Sequence, residues 1–241
     1  MTFKKPDEMV MADDRLIVSV WGDPKVGKTQ FALTFPRPLF LFDWDHGLEH
    51  HLHRVLGQDV YISEYNYGSA LEPKPEDYIR LQSEFDADYM AALATIRRHG
   101  SGSIVLDSGT AYWDMVQNAF SAHNTRSSKQ RFDYGPPNAY VNQTFALAKL
   151  TPGCNLCVIH RAKEKYTATG QSMNQFVQHG NKAVEYYVQA QIHLQFVGDR
   201  HFGTLESSWD APDLKGIELD ELTYDSLPAT LLPFRKASDL G

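Results

Sequence analysis

Cysteine is nearly absent: Cys154 and Cys157 are the only two in 241 residues. Two thiols cannot build a disulfide framework, so the core must hold the fold, and a reducing, cytoplasmic compartment is expected. No apolar run approaches the roughly 20 residues that a membrane helix needs. Met1–Val10, with Lys4, Lys5, Asp7 and Glu8, lacks the apolar centre of a signal peptide. A membrane is therefore not an expected partner. Positive charge is scarce too, with 23 Lys and Arg against 30 Asp and Glu and a formal net charge of −7. Such a chain does not coat nucleic acid with its whole surface, so any nucleic-acid contact has to be a local patch. Apolar and aromatic residues are plentiful, at 42% and 12%. That is the composition of a folded globule, and the length suits one α/β domain with a large core.

The hydrophobic pattern supplies the elements. Leu16–Val20 reads as a buried strand, followed by a glycine-bearing turn and a short helix from Thr29 that Pro36 and Pro38 stop. Leu39–Phe42 is a second buried strand, ending in Asp43-Trp44-Asp45-His46-Gly47. A loop rich in Tyr, Pro and Glu leads to a helix over Pro75–Arg98, whose Tyr78, Leu81, Phe85, Tyr89, Leu93 and Ile96 fall at helical spacing. Ser103–Asp107 is a third strand and Thr110–Ala122 a helix, and Asn124–Pro137 reads as a polar loop. Asn138–Leu150 is helical and Cys154–His160 a fourth strand. Lys165–Thr169 and Gln175–Gln178 look like hairpin arms, and Val184–Phe196 like a half-exposed strand. Strands alternating with helices, then β-rich material, predict an α/β fold with a mainly parallel sheet and an antiparallel extension. Residues 1–14 are expected to be an N-terminal extension, 15–204 the core, and 205–241 an acidic segment. That segment has eight acidic residues against three basic ones, read as a solvated surface.

Gly22-Asp23-Pro24-Lys25-Val26-Gly27-Lys28-Thr29 fits G-x-x-x-x-G-K-[ST]. This P-loop pattern wraps phosphates in backbone N–H groups at a helix N-terminus, and the glycines permit the close approach. Lys28 would reach the β- and γ-phosphates, Thr29 would ligate Mg²⁺, and Gln30 continues the nucleotide-contacting stretch. A run of apolar residues ends in Asp107, as a second Mg²⁺-holding group would; the alternative is a carboxylate that caps the next helix. Asp43 and Asp45 end the neighbouring strand, and either could orient a water toward the γ-phosphate. The alternative there is a capping Asp43 and a solvated Asp45. His160, at the end of the fourth strand, is a candidate γ-phosphate sensor or else a hydrogen-bonded structural histidine.

With these residues in place, the chain resembles the RecA-type recombinase core, and more closely the small phage RecA-like single-strand annealing proteins. The stretch from Leu16 through Gly47 and Leu48 matches the family's strand, P-loop, proline-ended helix and acidic strand end. Asp45 stands where the family's catalytic glutamate does, one methylene shorter. Ile104-Val105-Leu106-Asp107-Ser108 is similar to the family's Walker B element. Val158-Ile159-His160-Arg161 is similar to the strand that precedes its DNA-binding loop, with His where Gln is usual. Gly180–Tyr187 and Ile192-His193-Leu194 resemble the return strand. The resemblance implies an Mg²⁺-dependent ATPase, stimulated by single-stranded DNA, that promotes annealing or recombination. It also implies further copies of the chain and a single-strand-binding protein as partners.

The residues offer two local patches for that DNA. One is Arg161, Lys163, Lys165 and Lys182 with Tyr166 and Phe176 interleaved; the other is Arg126, Lys129 and Arg131. Other readings are an ATPase acting on a protein partner, of AAA+ or motor type, and a regulatory module that holds ATP with little turnover. Cys154-x-x-Cys157 with His160 lacks a fourth zinc ligand and reads as buried strand. His46, His50, His51 and His53 read as a solvated face. Tyr112 and Trp113 read as core.

Overall fold

The computed structural model describes residues 15–66, 73–122, 134–167, 169–209, 211–220, 222–227 and 231. Among them, nine strands form one sheet. They are β1 (Ile17–Gly22), β2 (Leu39–Asp43), β3 (Val60–Glu64), β4 (Gly102–Asp107), β5 (Cys154–Tyr166), β6 (Ser172–His179), β7 (Ala190–Val197), β8 (Arg200–Ser208) and β9 (Glu218–Asp220). The order is β3-β2-β4-β5-β1-β7-β8-β9, with β6 paired to β5. Strands from β3 to β7 across this order pair in parallel, while β5–β6, β7–β8 and β8–β9 are antiparallel. The helices are α1 (Lys28–Ala32), α2 (Leu52–Val55), α3 (Pro75–His99), α4 (Gly109–Ala122) and α5 (Gly135–Leu150). The sheet is thus mainly parallel with an antiparallel extension.

Strand alternation divides the core between the two faces. Val18, Val20, Leu39, Leu41, Val105, Cys157 and Ile159 join one cluster with Phe31 and Phe35. Ile17, Phe42, Ile104, Leu106, Leu156 and Val158 join the other, with residues of α3, α4 and α5. The parallel register aligns the carboxyl ends of four strands. Asp43 lies beside Asp107, Asp107 beside Ile159, and Arg161 beside Gly22. That row of strand ends is the crevice in which an open α/β sheet binds ligands.

The boundary expected at 204/205 falls inside β8, and the described part of the acidic segment is no solvated appendage. Leu205, Leu219, Tyr224, Leu227 and Leu231 are buried in the cluster that holds Val18 and Val20. Tyr224 ties this segment down twice: its N–H donates to Thr34 Oγ1 at 2.7 Å and its hydroxyl to Asn155 Oδ1 at 3.1 Å. The acidic count masked an apolar subset at positions that face the sheet.

Several elements also differ from expectation; the strand expected from Val184 starts at Ala190, after a 3₁₀ helix over Lys182–Tyr186. Helix α5 starts at Gly135 because Pro136 and Pro137 fall in its first turn, where a missing N–H costs nothing. Strand β5 continues six residues past His160, since β6 gives its extension a partner. β3 lies within the stretch read as loop, at the sheet edge beside β2, where Tyr61 and Ile62 are exposed.

Candidate functional site

Gly22 ends β1 and opens the loop. A Cβ there would meet the Leu194 carbonyl oxygen at 2.3 Å, so only glycine lets β1 and β7 pass at this point. Gly27, at φ 94, turns the chain into α1, and its carbonyl accepts the first helical bond from Phe31 N at 2.9 Å. Asp23, Pro24 and Lys25 are exposed, Val26 is buried, and Gly27, Lys28 and Thr29 are half-buried, with Gln30 exposed at the next position. Lys28 Nζ donates to the carbonyls of Gly22 at 2.9 Å and Asp23 at 2.6 Å. Burial lowers its pKa, against the opposing pull of Asp107, Asp23 and Asp45.

Thr29 Oγ1 donates to Asp107 Oδ2 at 2.6 Å, joining the loop to the end of β4. Burial pushes the Asp107 carboxyl up to about 6; the Thr29 bond opposes this, and Asp43 and Asp45 reinforce it. A hydroxyl and a carboxylate beside a phosphate cradle fit Mg²⁺, which is held by one or two carboxylates plus substrate phosphates. No group of three His, Cys, Asp or Glu among the described residues could cage a metal. Both cysteines are free and buried.

The two acidic residues after β2 have different fates. Asp43 is buried and points into its own turn, where Oδ1 accepts from Asp45 N at 3.1 Å and Oδ2 from Leu48 N at 3.2 Å. The second bond satisfies the N–H of the first residue of the 3₁₀ helix Leu48–His51. Asp45 turns outward and forms a bidentate pair with Arg161, whose Nε is 3.2 Å from Oδ2. The pair raises the Arg161 pKa. Arg161, expected on a DNA surface, is thus engaged at the crevice.

His160 is 1% exposed. Its ring lies between Gly109 and Gly180: a Cβ would come within 2.9 Å of Cε1 at the first and 2.6 Å of Nδ1 at the second. Nδ1 is 3.2 Å from the His179 carbonyl, which makes it the protonated nitrogen. Burial lowers the pKa to about 4, so the ring is neutral at pH 7. His160 is a spacer that seats α4 against the end of β6. Thr110 Oγ1 completes this junction, accepting from Arg161 N at 3.1 Å and donating to His179 O.

Beyond the junction, β5 and β6 form the hairpin. Alternation sends Arg161, Lys163 and Lys165 to one face and Glu164 and Tyr166 to the other. Phe176 pairs with Glu164 and shares its face. The rings and cations expected to interleave therefore occupy opposite faces. A groove of about 830 Å³ lies along the hairpin and takes residues of both faces, Lys163 and Lys165 from one and Glu164 and Tyr166 from the other, with Lys182 and Glu185. Arg126, Lys129 and Arg131 lie outside the described residues.

The sequence reading missed a cavity of about 300 Å³ beside the loop, lined by Gly27, Gln30, Phe31, His201, Phe202 and Thr223 among others. His201 Nδ1 is 3.3 Å from the Val26 carbonyl, across 175 residues of chain. No local pattern signals this contact. It exists because β8 folds back on β7 in a register that pairs His201 with Phe196 and Phe202 with Gln195.

No curated protein sequence matches the chain. Among solved structures, an ATPase from the type III secretion system of pathogenic bacteria is similar, with a TM-score of 0.50 at 9% identity. That match covers 75% of this chain and 51% of the other. An ATP synthase subunit, NeqB, from Nanoarcheaum equitans gives 0.51 at 10% identity over 76% and 46%. This chain thus spans about half the length of those two proteins. The RadB recombinase gives 0.47 at 13% identity over 86% of each chain. The first two likenesses show a shared fold. No helix among the described residues is long and apolar enough to cross a membrane. A family model for the AAA domain matches residues 14–198, the span from the approach to β1 through the end of β7. By that match, and with its phosphate loop set against Asp107, the chain belongs to the AAA domain family of P-loop ATPases.

Proposed function

We propose that the chain hydrolyses ATP with Mg²⁺ at the crevice and couples turnover to single-stranded DNA on the β5–β6 hairpin, as a homo-oligomer in annealing or recombination. The observation that carries this reading is the continuity of β5. One strand holds Arg161 at the crevice and Lys163 and Lys165 on an exposed face beyond it. Whatever shifts the strand end in response to nucleotide also shifts the basic face.

Lys28 leaves the Gly22 and Asp23 carbonyls to bind β- and γ-phosphate oxygens. Thr29 and Asp107 would hold Mg²⁺, which supplies neutralisation of phosphate charge when bound. The base sits in the cavity between α1 and β8. Asp45 orients a water whose oxygen forms the new bond to the γ-phosphorus. The bond to the β–γ bridging oxygen breaks, ADP departs with that electron pair, and the water's proton ends on the released phosphate. A single-strand-binding protein is a further partner by the same reading.

A second reading, an ATPase that acts on a protein partner, draws on the AAA domain match and the net charge of −7. ATP hydrolysis with and without single-stranded DNA, beside Lys28→Ala, decides between them. The recombinase reading expects DNA to raise turnover severalfold, with both rates lost in Lys28→Ala. DNA-independent turnover favours the protein partner. ATP binding without turnover favours a regulatory module.

A further inference from the structure

We propose that Glu206 is a positioning residue for the phosphate loop, acting through Trp21, so that the antiparallel strands β7 and β8 form part of the nucleotide site. This rests on the nucleotide reading above and deepens it, because it names what holds the entry of the loop in place. Trp21 is the last residue before Gly22, whose carbonyl accepts from Lys28 Nζ. The indole is buried, yet among the described residues it joins neither core cluster. It bridges three neighbouring strands instead. From β1 it stacks on His193 of β7, with ring centroids 3.7 Å apart and planes 1° from parallel, and its Nε1 donates to Glu206 Oε2 of β8 at 2.6 Å.

Glu206 reaches Trp21 from a β-bulge. Ser207 pairs with Gln191 and Leu205 with Ile192, which leaves Glu206 as the extra residue, and bulges re-aim side chains in this way. Burial raises the Glu206 pKa, and the Trp21 bond is the strongest influence that opposes it. An apolar side chain would fill the space without that desolvation cost. What the carboxylate adds is a charge-assisted bond with a fixed distance and direction. Two further contacts tie the same strands to the loop. The Leu194 carbonyl of β7 packs against Gly22, and Nδ1 of His201 on β8 lies 3.3 Å from the Val26 carbonyl. Strand β8 thus holds the loop at both ends, through Trp21 at its entry and at Val26 just before Gly27. A loop that presents several N–H groups to one chain of phosphates loses affinity when either end drifts.

The test is titration of the full chain with Mg²⁺ and, separately, ATP, ADP and inorganic triphosphate, while proton–nitrogen NMR follows the indole N–H signals of the four tryptophans. Glu206→Leu keeps the bulk and removes the acceptor. It should move the Trp21 indole signal upfield, as for an unbonded N–H, and weaken all three ligands by a similar factor of at least about fivefold. A shared loss marks the phosphate loop, whereas a damaged base contact would spare triphosphate. Glu206→Gln keeps an acceptor oxygen and should recover most of the loss. Trp21→Phe identifies the signal and should cost as much as Glu206→Leu, with no further loss when the two are combined. If Trp21→Phe misfolds, the contrast between Glu206→Leu and Glu206→Gln carries the test. A lower melting temperature in Glu206→Leu, with all three affinities within about twofold of the parent, would show a packing role alone and overturn the proposal. Additive losses in the combined variant would overturn it too. A parent protein that binds none of the three ligands refutes the nucleotide reading, and this proposal falls with it.

Discussion

Thr29 and Asp107, 78 residues apart, share a hydrogen bond of 2.6 Å from Oγ1 to Oδ2, and it joins the phosphate loop to the end of β4. The carboxylate in that bond is buried, and burial pushes its pKa from 3.8 to about 6. The folded chain therefore holds a proton on Asp107 more tightly than the unfolded chain does. The sign follows: stability falls as pH rises from 3.8 through 6, then stays level. The loss amounts to roughly 3 kcal/mol. Asp107→Asn removes this ionisation. Without ligand, the variant should melt several degrees above the parent at pH 8 and lose that advantage below pH 4. The same substitution should cost at least tenfold in Mg·ATP affinity. Thermal melts across pH, beside nucleotide titrations at pH 8, check both halves.

His160 gives the opposite acid-side behaviour. Its pKa is lowered to about 4 by burial, against an ordinary value of 6.5. The unfolded chain takes up the proton first, so stability is full above 6.5 and declines as pH falls through 6.5 toward 4. The decline reaches roughly 3 kcal/mol. His160→Gln should flatten this part of the stability curve. Because the ring is buried between Gly109 and Gly180, turnover at pH 7.5 should stay within about threefold of the parent, provided the fold survives. Loss of turnover by orders of magnitude in a folded variant would restore the sensor role expected from its place at the strand end.

Those two residues show where the sequence was informative and where it stopped. The P-loop was legible because its chemistry is contiguous: strand, glycines, Lys28 and Thr29 lie in one short run. Asp107 was legible because an apolar strand ended on it. Asp43 and Asp45 sit two residues apart at one strand end, and no pattern says which turns inward to accept from Leu48 N. Arg161, the partner of Asp45, is 116 residues further along the chain. The face assignments on the hairpin needed the register of β6 on β5. The core role of Leu219, Tyr224 and Leu227 was hidden by the acidic residues among them. They share one buried cluster with residues of α1 and β1, which only the assembled sheet brings to them.

The hairpin makes a quantitative prediction about salt. Each phosphate neutralised on a single strand contributes about −0.7 to the slope of log affinity against log salt concentration. Lys163→Ala with Lys165→Ala should therefore make the slope for single-stranded DNA shallower by about 1.4. It should weaken binding at least tenfold at moderate salt and leave DNA-free ATP turnover unchanged. Phe176→Ala, on the opposite face, should leave the slope alone. Fluorescence anisotropy over a salt series separates the two faces. An unchanged slope in the double lysine variant removes the hairpin as the DNA surface.

The cavity beside Gly27 and Gln30 can be tested apart from the phosphates. Thr223 is one of the residues that line it. Thr223→Phe adds a ring that takes up a large share of a volume of about 300 Å³, leaving too little room for a nucleobase. Nothing about that substitution touches Lys28, Thr29 or Asp107. ATP affinity should drop at least tenfold, whereas inorganic triphosphate with Mg²⁺ should bind as well as it does to the parent. Phe202→Ala enlarges the same space and should weaken ATP by a factor of about three to ten through lost stacking area. Competition of triphosphate against a fluorescent ATP analogue reads both variants on one scale. If both ligands weaken together in Thr223→Phe, the substitution has disturbed the phosphate loop through Val26 and His201. If neither weakens, the base lies elsewhere, and the contact of His201 with the Val26 carbonyl has only a structural role in holding β8 against the loop.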